Sequence, residues 1–137
     1  MMMVNIHGKK DSNYRYRMPK LEVRKKKNNK TYLLNLEKIS DSLSRDQNEL
    51  IKWFSYTLGV NCSKKDGCIN GQFESEQLQE VLQKYISRYV LCKVCGNPET
   101  TFSLKKKVVY MNCAACGGCS EMENKSKFDK YLYQKVK

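Results

Sequence analysis

The sequence predicts an α/β (α+β) domain that is preceded by a flexible basic arm and followed by a four-cysteine zinc ribbon. Two C-x-x-C pairs stand seventeen residues apart in the last third of the 137-residue chain. Hydrophobic residues recur at helical spacing from Leu78 to Tyr89, directly before the first pair. Short apolar segments bounded by glycine and basic residues lie further upstream, as in β-hairpins. We therefore expect an arm over residues 1–18, the α/β domain over 19–89 and the ribbon over 90–137.

The two cysteine pairs have the form of metal knuckles, and each is followed by a glycine that can close a tight turn. The predicted ligands are Cys92, Cys95, Cys113 and Cys116. Four thiolates suit one tetrahedral, structural Zn²⁺, because no His or Asp stands where it would leave an open coordination position. Cys119 offers an alternative partner for Cys116, but Ser120 follows it instead of glycine, so we retain the first set. The alternative is four free buried thiols.

Charge dominates the composition. The chain has 26 Lys and Arg against 14 Asp and Glu, a formal net charge of +12, which implies an anionic partner such as nucleic acid, a membrane surface or an acidic protein. No apolar run is long enough to span a membrane, and the first residues turn polar too soon for a signal peptide. Seven cysteines, an odd number, argue for a reducing compartment, with Cys62, Cys68 and Cys119 as spare thiols.

The α/β domain begins with a predicted hairpin from Lys20 to Asn35. Leu21 and Val23 alternate on its first strand, Tyr32 to Leu36 form the second, and the basic run 24–30 forms the tip. Residues 1–18 show no periodic apolar face, so we expect an extended, mobile arm there.

Two helices are predicted next. Ile39 and Leu43 suggest a short one, and Ser44 is a candidate N-cap for the second, with Gln47 as its capping-box partner. Gly59 is a natural stop for the second helix. Its apolar positions are Leu50, Ile51, Phe54 and Leu58.

The remaining elements follow in order. A second hairpin is expected over 60–73 and the clearest helix over 78–89. The ribbon should contain strands at 101–104 and 108–111 around the tip Lys105-Lys106-Lys107. Phe128 and Leu132, with Tyr131 as a further candidate, indicate a short terminal helix.

Cations cluster with tyrosines near the start of the chain. Tyr14-Arg15-Tyr16-Arg17-Met18-Pro19-Lys20 suits phosphate contact with stacking, or a solvated arm that docks two tyrosines on the core. Residues 9–30 hold ten Lys and Arg, a density that suits a phosphate backbone or a solvated charge run. Lys105-Lys106-Lys107 is a weaker signal of the same kind. The sequence has no P-loop, G-x-S-x-G or carboxylate pair supported by His, which argues against a self-contained active site.

These residues resemble those of a known family, the N-terminal domain of eukaryotic translation initiation factor five. The matching segments run in order over nearly the whole chain: Met3-Val4-Asn5-Ile6, the Tyr-Arg-Tyr-Arg-Met-Pro-Lys-Leu arm at 14–21, Lys30-Thr31, Lys52-Trp53-Phe54, Leu58-Gly59, Ile69-Asn70-Gly71, and Tyr89-Val90-Leu91-Cys92 with Cys95 and Asn97-Pro98-Glu99-Thr100. The ribbon and its preceding helix are shared with the beta subunit of initiation factor two. The arm near the start favours factor five.

The resemblance implies a fold similar to initiation factor one, followed by the ribbon. It also implies a monomeric, cytoplasmic GTPase-activating protein for GTP-bound initiation factor two, working on the small ribosomal subunit with initiator tRNA and mRNA. Arg15 matches the family's arginine that would act in trans on the gamma subunit, and Lys30 and Lys52 match two supporting lysines. The basic tip falls where the family's loop approaches tRNA and mRNA: Arg24, Lys25, Lys26, Lys27, Asn28 and Asn29.

Two departures from the family's pattern bear on this interpretation. The hairpin tip is shorter and richer in Lys and Asn than the family's Gly-rich tip, and the sequence ends at Lys137, before the family's linker and C-terminal helical domain. Recruitment would then rest on charge and on this domain alone. Two rival interpretations stay open. One is a non-activating ribosome- or tRNA-binding module, a competitor of the host factor or a component like the beta subunit. The other is a generic nucleic-acid-binding zinc protein.

Overall fold

The computed structural model describes residues 3–11, 13–26, 29–63 and 67–136. Within them the chain forms four helices and three antiparallel sheets, so the predicted mixed fold class is confirmed. The likeness to initiation factor one stays a prediction. The chain divides into two compact units, Met1–Ile86 and Ser87–Lys137. None of the described helices combines the length and the apolar character needed to cross a bilayer.

The first sheet lies mostly in the segment that was predicted as an extended basic arm. Strand β1 (Met3–Asn5) pairs with β2 (Arg17–Pro19), with Val4 opposite Met18. Ile6 is 2% exposed and Met18 is fully buried. The sequence did not predict this strand pair, because the apolar side chains that anchor it are few and scattered among basic residues. The flexibility of the arm stays a prediction.

The second sheet has four strands in the order β3-β4-β6-β5. They are β3 (Val23–Lys26), β4 (Lys30–Leu33), β5 (Cys62–Ser63) and β6 (Cys68–Asn70). Both predicted hairpins are present, and the pairing of β4 with β6 joins them into one sheet with Thr31 opposite Ile69. The first hairpin's second strand ends at Leu33 and not at Leu36, because the next helix already begins at Leu36.

The first unit also contains the helices α1 (Leu36–Leu43) and α2 (Gln47–Leu58) and most of α3 (Ser75–Tyr89), whose last three residues belong to the second unit. The predicted N-cap of α2 was wrong. Asp46 is the cap, and its carboxylate accepts a hydrogen bond from the Asn48 N–H at 2.8 Å. Ser44 instead closes α1 in the left-handed region, with a φ of 54°. Gly59 ends α2 as predicted, with a φ of 69°.

The core of the first unit lies where α1, α2 and α3 bury their apolar positions. The predicted periodic residues Ile39, Leu50, Phe54, Leu78 and Leu82 are all fully buried. A helix stripe of this kind stabilises its helix mainly through packing, since each buried large side chain contributes about 1.5–3 kcal/mol. The buried indole of Trp53 donates from Nε1 to the Val81 carbonyl at 2.8 Å, which ties α2 to α3.

The second unit holds the ribbon sheet and one helix. Strands β7 (Thr100–Lys105) and β8 (Val108–Cys113) form the predicted hairpin, and β9 (Cys119–Glu121) adds a third strand that the sequence did not predict. Helix α4 (Lys127–Val136) confirms the terminal helix, with Phe128 and Leu132 each 2% exposed. α4 packs against β7 and β8.

Candidate metal centre and basic surfaces

Four cysteine sulfurs converge at the knuckle end of the ribbon. The Sγ atoms of Cys92, Cys95, Cys113 and Cys116 all lie within 4.8 Å of one another. The Cys92–Cys116 and Cys95–Cys113 sulfur pairs are 3.7 and 3.6 Å apart. A tetrahedron of sulfurs about 2.3 Å from a central ion has edges of about 3.8 Å. The cluster therefore has the size and shape of a four-thiolate metal site.

Two similar turns build this cluster. The Gly96 N–H donates to the Cys92 carbonyl and the Gly117 N–H donates to the Cys113 carbonyl, each at 2.9 Å. Both glycines have left-handed φ values, 77° and 73°, which a side chain would strain. The N–H of Val94 points at the Cys92 sulfur at 3.3 Å, as expected for a group that stabilises a thiolate. The knuckles predicted from the C-x-x-C-G pattern are therefore present.

The electrostatics of the cluster favour a bound cation. Hydrogen bonds from the backbone N–H groups of Cys95 and Val94 lower the pKa of the Cys92 thiol to about 6. The backbone N–H of Asn97 acts in the same direction on Cys95, but burial and the neighbouring thiols outweigh it and raise its pKa to about 12. The Cys92 thiolate therefore forms easily, whereas the pKa values of Cys95 and Cys116 are raised beside it. A divalent cation would neutralise the accumulated charge and allow four thiolates.

The remaining cysteines lie outside this cluster. Cys62 is half-buried, and burial raises the pKa of its thiol to about 11. Cys68 is buried in β6, and Cys119 is exposed at the start of β9. The choice of Cys116 over Cys119 as the fourth member of the cluster agrees with this arrangement.

Arg15 lies in the loop that joins β1 to β2. Its side chain is exposed, and its guanidinium carbon is 5.7 Å from the centroid of the Tyr16 ring. Within the ranges that the structure describes, Arg15 forms no ion pair. The neighbouring Tyr14 ring stacks on His7, with centroids 3.7 Å apart, and contacts Tyr16 edge-on. The two tyrosines are thus half-buried while the arginine between them faces solvent.

Asn5 shapes this loop, and the sequence did not single it out for that role. Its side-chain Nδ2 donates to the carbonyls of Lys9 and Asp11, at 2.9 and 3.0 Å. Gly8, with a φ of 79°, turns the chain between Asn5 and Lys9. An Asn followed by a glycine three residues later was the available signal for a closed loop here.

Lys30 and Lys52 lie on separate elements. Lys30 starts β4 opposite Asn70, and Lys52 lies on α2 with its Nζ 5.6 Å from the Tyr56 ring centroid. Both side chains are half-buried. Among the described residues, no hydrogen bond, ion pair or ring contact joins either lysine to Arg15. The structure therefore does not gather the three predicted residues into one contact cluster.

The basic hairpin is shorter at its tip than the sequence predicted. Arg24, Lys25 and Lys26 are exposed residues of β3, the edge strand of the sheet, and not part of the turn. Lys25 forms an ion pair with Glu74, and the Lys26 Nζ lies 4.6 Å from the Tyr32 ring centroid. Asn29 lies in the turn with a φ of 59°. Two further predicted contacts, Lys27 and Asn28, fall outside the described residues.

Comparisons with known proteins show the family to which this chain belongs. Residues 7–119 match the model of a family described as a domain found in initiation factors 2B and 5. The chain is 38% identical to "Eukaryotic translation initiation factor 5" of Dictyostelium discoideum, over 96% of this chain and 35% of that protein. It is 33% identical to the protein of the same name in Saccharomyces cerevisiae, again over 96% and 35%. The chain spans about a third of the length of the curated relatives it matches.

Proposed function

Because the chain belongs to the family of the domain found in initiation factors 2B and 5, we propose that it acts in translation initiation as a GTPase-activating factor for initiation factor two. It would bind the GTP-loaded factor in the cytoplasm, on the small ribosomal subunit with initiator tRNA and mRNA. The chain itself would not be a self-contained enzyme. Its contribution would be one arginine supplied in trans to the gamma subunit.

The observation that carries this proposal is the setting of Arg15. The guanidinium is exposed and has no carboxylate partner among the described residues, while Tyr14 and Tyr16 hold the loop on either side. A guanidinium offers a planar fork of donors that fits the oxygens of a phosphoryl group. Charge develops on those oxygens as GTP is cleaved, and an arginine supplied in trans can then contribute on the order of 10³–10⁵ in rate. Arg15 is thus free to leave its own surface without breaking an ion pair.

The other predicted residues would have supporting roles. Lys30 and Lys52 would assist the same reaction from β4 and α2, by charge and not by direct contact with Arg15. Arg24, Lys25 and Lys26, together with Asn29 and the neighbouring Lys27 and Asn28, would meet the phosphates of tRNA or mRNA. An edge strand with consecutive cations is suited to a sequence-independent backbone contact.

Zinc is the metal that best suits the cysteine cluster. Four thiolates in a tetrahedral array favour Zn²⁺, and all four positions are filled by protein, so the ion would be structural and would take no part in GTP cleavage. Cys92, Cys95, Cys113 and Cys116 would hold it. Under this proposal, the bound ion would supply much of the folding energy of the ribbon.

Single-turnover GTP hydrolysis tests the proposal. The substrate is a complex of initiation factor two, GTP, initiator tRNA, mRNA and the small subunit, to which the wild-type chain or a variant is added. We expect Arg15→Ala to lower the stimulated rate by about a thousandfold or more. Arg17→Ala is the matched control, since Arg17 is an exposed arginine two residues away, and it should retain most of the stimulation.

Binding to the same complex is measured in parallel, so that loss of rate can be told from loss of contact. Equal stimulation by wild type and Arg15→Ala would refute the role of this arginine. No stimulation by the wild type, with binding intact, would favour the second candidate: a non-activating ribosome- or tRNA-binding module. The exposed cations on β3 are the observation that favours that candidate.

A further inference from the structure

The ribbon sheet has one covered face and one open face. Its register places alternate residues on opposite sides, and those on the inner side, such as Val109, Met111 and Cys113, are buried. The alternate positions of β7 and β8 form what we call the outer ribbon face. Its residues are Thr101, Ser103, Lys105, Val108, Tyr110 and Asn112. Thr101, Ser103 and Lys105 are exposed, and the other three are half-buried.

An aromatic ring stands at the middle of this open face. Tyr110 lies opposite Ser103 on β7 and opposite Glu121 on β9. Near it, the Asn112 side chain donates to the Ser103 hydroxyl at 2.8 Å. The face therefore combines one partly exposed ring with hydroxyl and amide groups that can form hydrogen bonds. Glu121, opposite Tyr110 on β9, is an exposed carboxylate.

The hairpin tip beside this face is strained and strongly basic. Lys106 and Lys107 form its two-residue turn with φ values of 51° and 65°, in the left-handed region that favours Asn and Gly. A residue with a Cβ atom is less stable in this region than glycine is. Lys105, Lys106 and Lys107 are all exposed, and none of them forms an ion pair with another described residue. Unpaired cations retained at a strained turn indicate a function for the charge.

We propose that the outer ribbon face binds single-stranded RNA, with a base stacked on Tyr110 and the adjacent phosphates on the Lys105–Lys107 tip. A sheet face with a partly exposed ring can serve as a platform for an unpaired base, whereas a base inside a duplex cannot reach it. Charge agrees with this occupant, since residues 87–137 hold ten Lys and Arg against four Asp and Glu. The surface contains none of the residues on which the GTPase proposal rests, so the two proposals can be tested independently.

Stacking is tested with the full chain, purified in the presence of Zn²⁺, and a fluorescein-labelled 12-nucleotide oligoadenylate. Fluorescence anisotropy gives the Kd. We expect Tyr110→Thr, which keeps a strand-forming residue, to raise the Kd about tenfold, and Tyr110→Phe to leave it within about twofold. Tyr131→Thr is the matched control, because Tyr131 is a half-buried tyrosine of α4 whose ring packs on Phe128. An unchanged Kd for Tyr110→Thr would overturn the proposal, as would an equal loss for Tyr131→Thr.

The basic tip is tested by Lys106→Asn combined with Lys107→Gly. These residues suit the turn better, so the melting temperature should rise while the salt dependence of RNA binding falls by about 1.4 in its logarithmic slope. A loss of binding in a more stable protein cannot come from misfolding. Lys127→Gln with Lys130→Gln removes the same charge from exposed positions of α4 and should leave the slope unchanged. An equal fall in both variants, or equal affinity for a 12-base-pair RNA duplex, would contradict this surface.

Discussion

Tyr85 and Tyr89 lie one turn apart on α3, and each donates a hydrogen bond to a buried carboxylate, but the two carboxylates are stabilised differently. Tyr85 donates to Glu49, whose Oε2 is also 3.9 Å from Nε of Arg45. Tyr89 donates to Asp129 at 2.6 Å. Glu49 is 3% exposed and Asp129 is 5% exposed. In the first unit the Arg45 guanidinium balances the charge of Glu49. In the second unit, the described partners of Asp129 include no cationic side chain.

Backbone N–H groups take the place of the cation at Asp129. Its Oδ2 accepts hydrogen bonds from the N–H groups of Lys125 and Ser126, at 3.2 and 3.1 Å, and Ser126 Oγ accepts from the Asp129 N–H at 3.1 Å. This is a reciprocal capping box at the start of α4. Burial alone would raise the pKa of Asp129, but the hydrogen bonds from Tyr89 and these backbone groups outweigh it, so its pKa is lowered.

The comparison shows what a buried carboxylate needs. A charge pair such as Arg45–Glu49 has a large desolvation cost on both partners, so losing one partner leaves the other buried and unpaired. A helix terminus has N–H groups that require acceptors in any case, so the carboxylate at Asp129 satisfies donors that would otherwise lack them. We therefore expect the first arrangement to be the more sensitive to mutation.

Metal removal should produce the largest effect, and it should separate the two units. We expect chelation to unfold the second unit, Asp129 site included, because structural Zn²⁺ supplies on the order of 10 kcal/mol to such modules. The first unit has its own core, so Trp53 fluorescence should stay that of a buried indole. Hydrogen exchange of the 87–137 amides, followed together with Trp53 emission, measures both responses.

Cysteine variants provide the controls for that experiment. Cys95→Ser should lose bound zinc and show the exchange pattern of the chelated protein. Cys119→Ser should keep one zinc per chain by elemental mass spectrometry, since Cys119 lies outside the cluster. If Trp53 emission shifts to that of an exposed indole together with the ribbon amides, the two units do not have separate stabilities.

Glu49→Ala should produce the next largest effect. It leaves the Arg45 guanidinium without its carboxylate in a site where its side chain is only 4% exposed, and a broken buried pair costs about 3–5 kcal/mol. Urea unfolding monitored by Trp53 measures the loss. Glu37→Ala, at an exposed position in the first turn of α1, is the control and should change stability by less than about 0.5 kcal/mol. A similar cost for both variants would contradict the special sensitivity of the charge pair.

The metal cluster could be predicted from the sequence, whereas the two carboxylate sites could not. Each knuckle is local, because four or five consecutive residues determine its turn and its sulfur positions. The partners Glu49 and Tyr85 are 36 residues apart, and Tyr89 and Asp129 are 40 apart, so no local pattern joins them. Part of the second site did have a signal, since Ser126 and Asp129 have the S-x-x-D spacing of a capping box.

The errors in the fold have the same physical origin. The sequence gives no local reason to pair Met3–Asn5 with Arg17–Pro19, because this pairing depends on burial of Ile6 and Met18 by other elements. The third ribbon strand, Cys119–Glu121, is only three residues long and pairs with β8. Helix interiors were predicted well, since their apolar spacing is itself local. Arg15 was found through its motif, and its role stays a proposal.

Tyr89→Phe tests the Asp129 site, which we expect to be less sensitive to mutation than the Glu49 site. At neutral pH it removes one of several donors to Asp129, so we expect a loss of about 1 kcal/mol. Burial, followed by the bond to Asp129, raises the pKa of Tyr89 to about 12. The unfolded chain loses this proton first, near its ordinary pKa of 10.0, so the wild type should lose stability as pH rises from about 10 towards 12. The difference in stability between the wild type and Tyr89→Phe should therefore become smaller over that pH range.

Thermal unfolding at pH 8 and at pH 11 measures this change in the difference between variant and wild type. Tyr133→Phe is the control, because the Tyr133 hydroxyl makes no hydrogen bond to another described residue. Its difference from the wild type should be small at both pH values. A Tyr89→Phe deficit that grows with pH would mean that the hydroxyl proton is not held by Asp129.

Asp46, an exposed carboxylate at the start of α2, should show an effect no larger than that of Tyr89→Phe. Asp46→Ala removes the N-cap of α2 and should cost about 1 kcal/mol. Ser44→Gly should instead gain up to about 1 kcal/mol, because Ser44 holds a left-handed conformation at the end of α1. If Ser44 were the N-cap of α2, as its spacing to Gln47 suggested, Ser44→Gly would destabilise the protein more than Asp46→Ala. The free energies of unfolding of the two variants in urea decide between these outcomes. If Asp46→Ala lowered this free energy by nearly as much as Glu49→Ala, burial would add little to the stability that a carboxylate contributes in this fold.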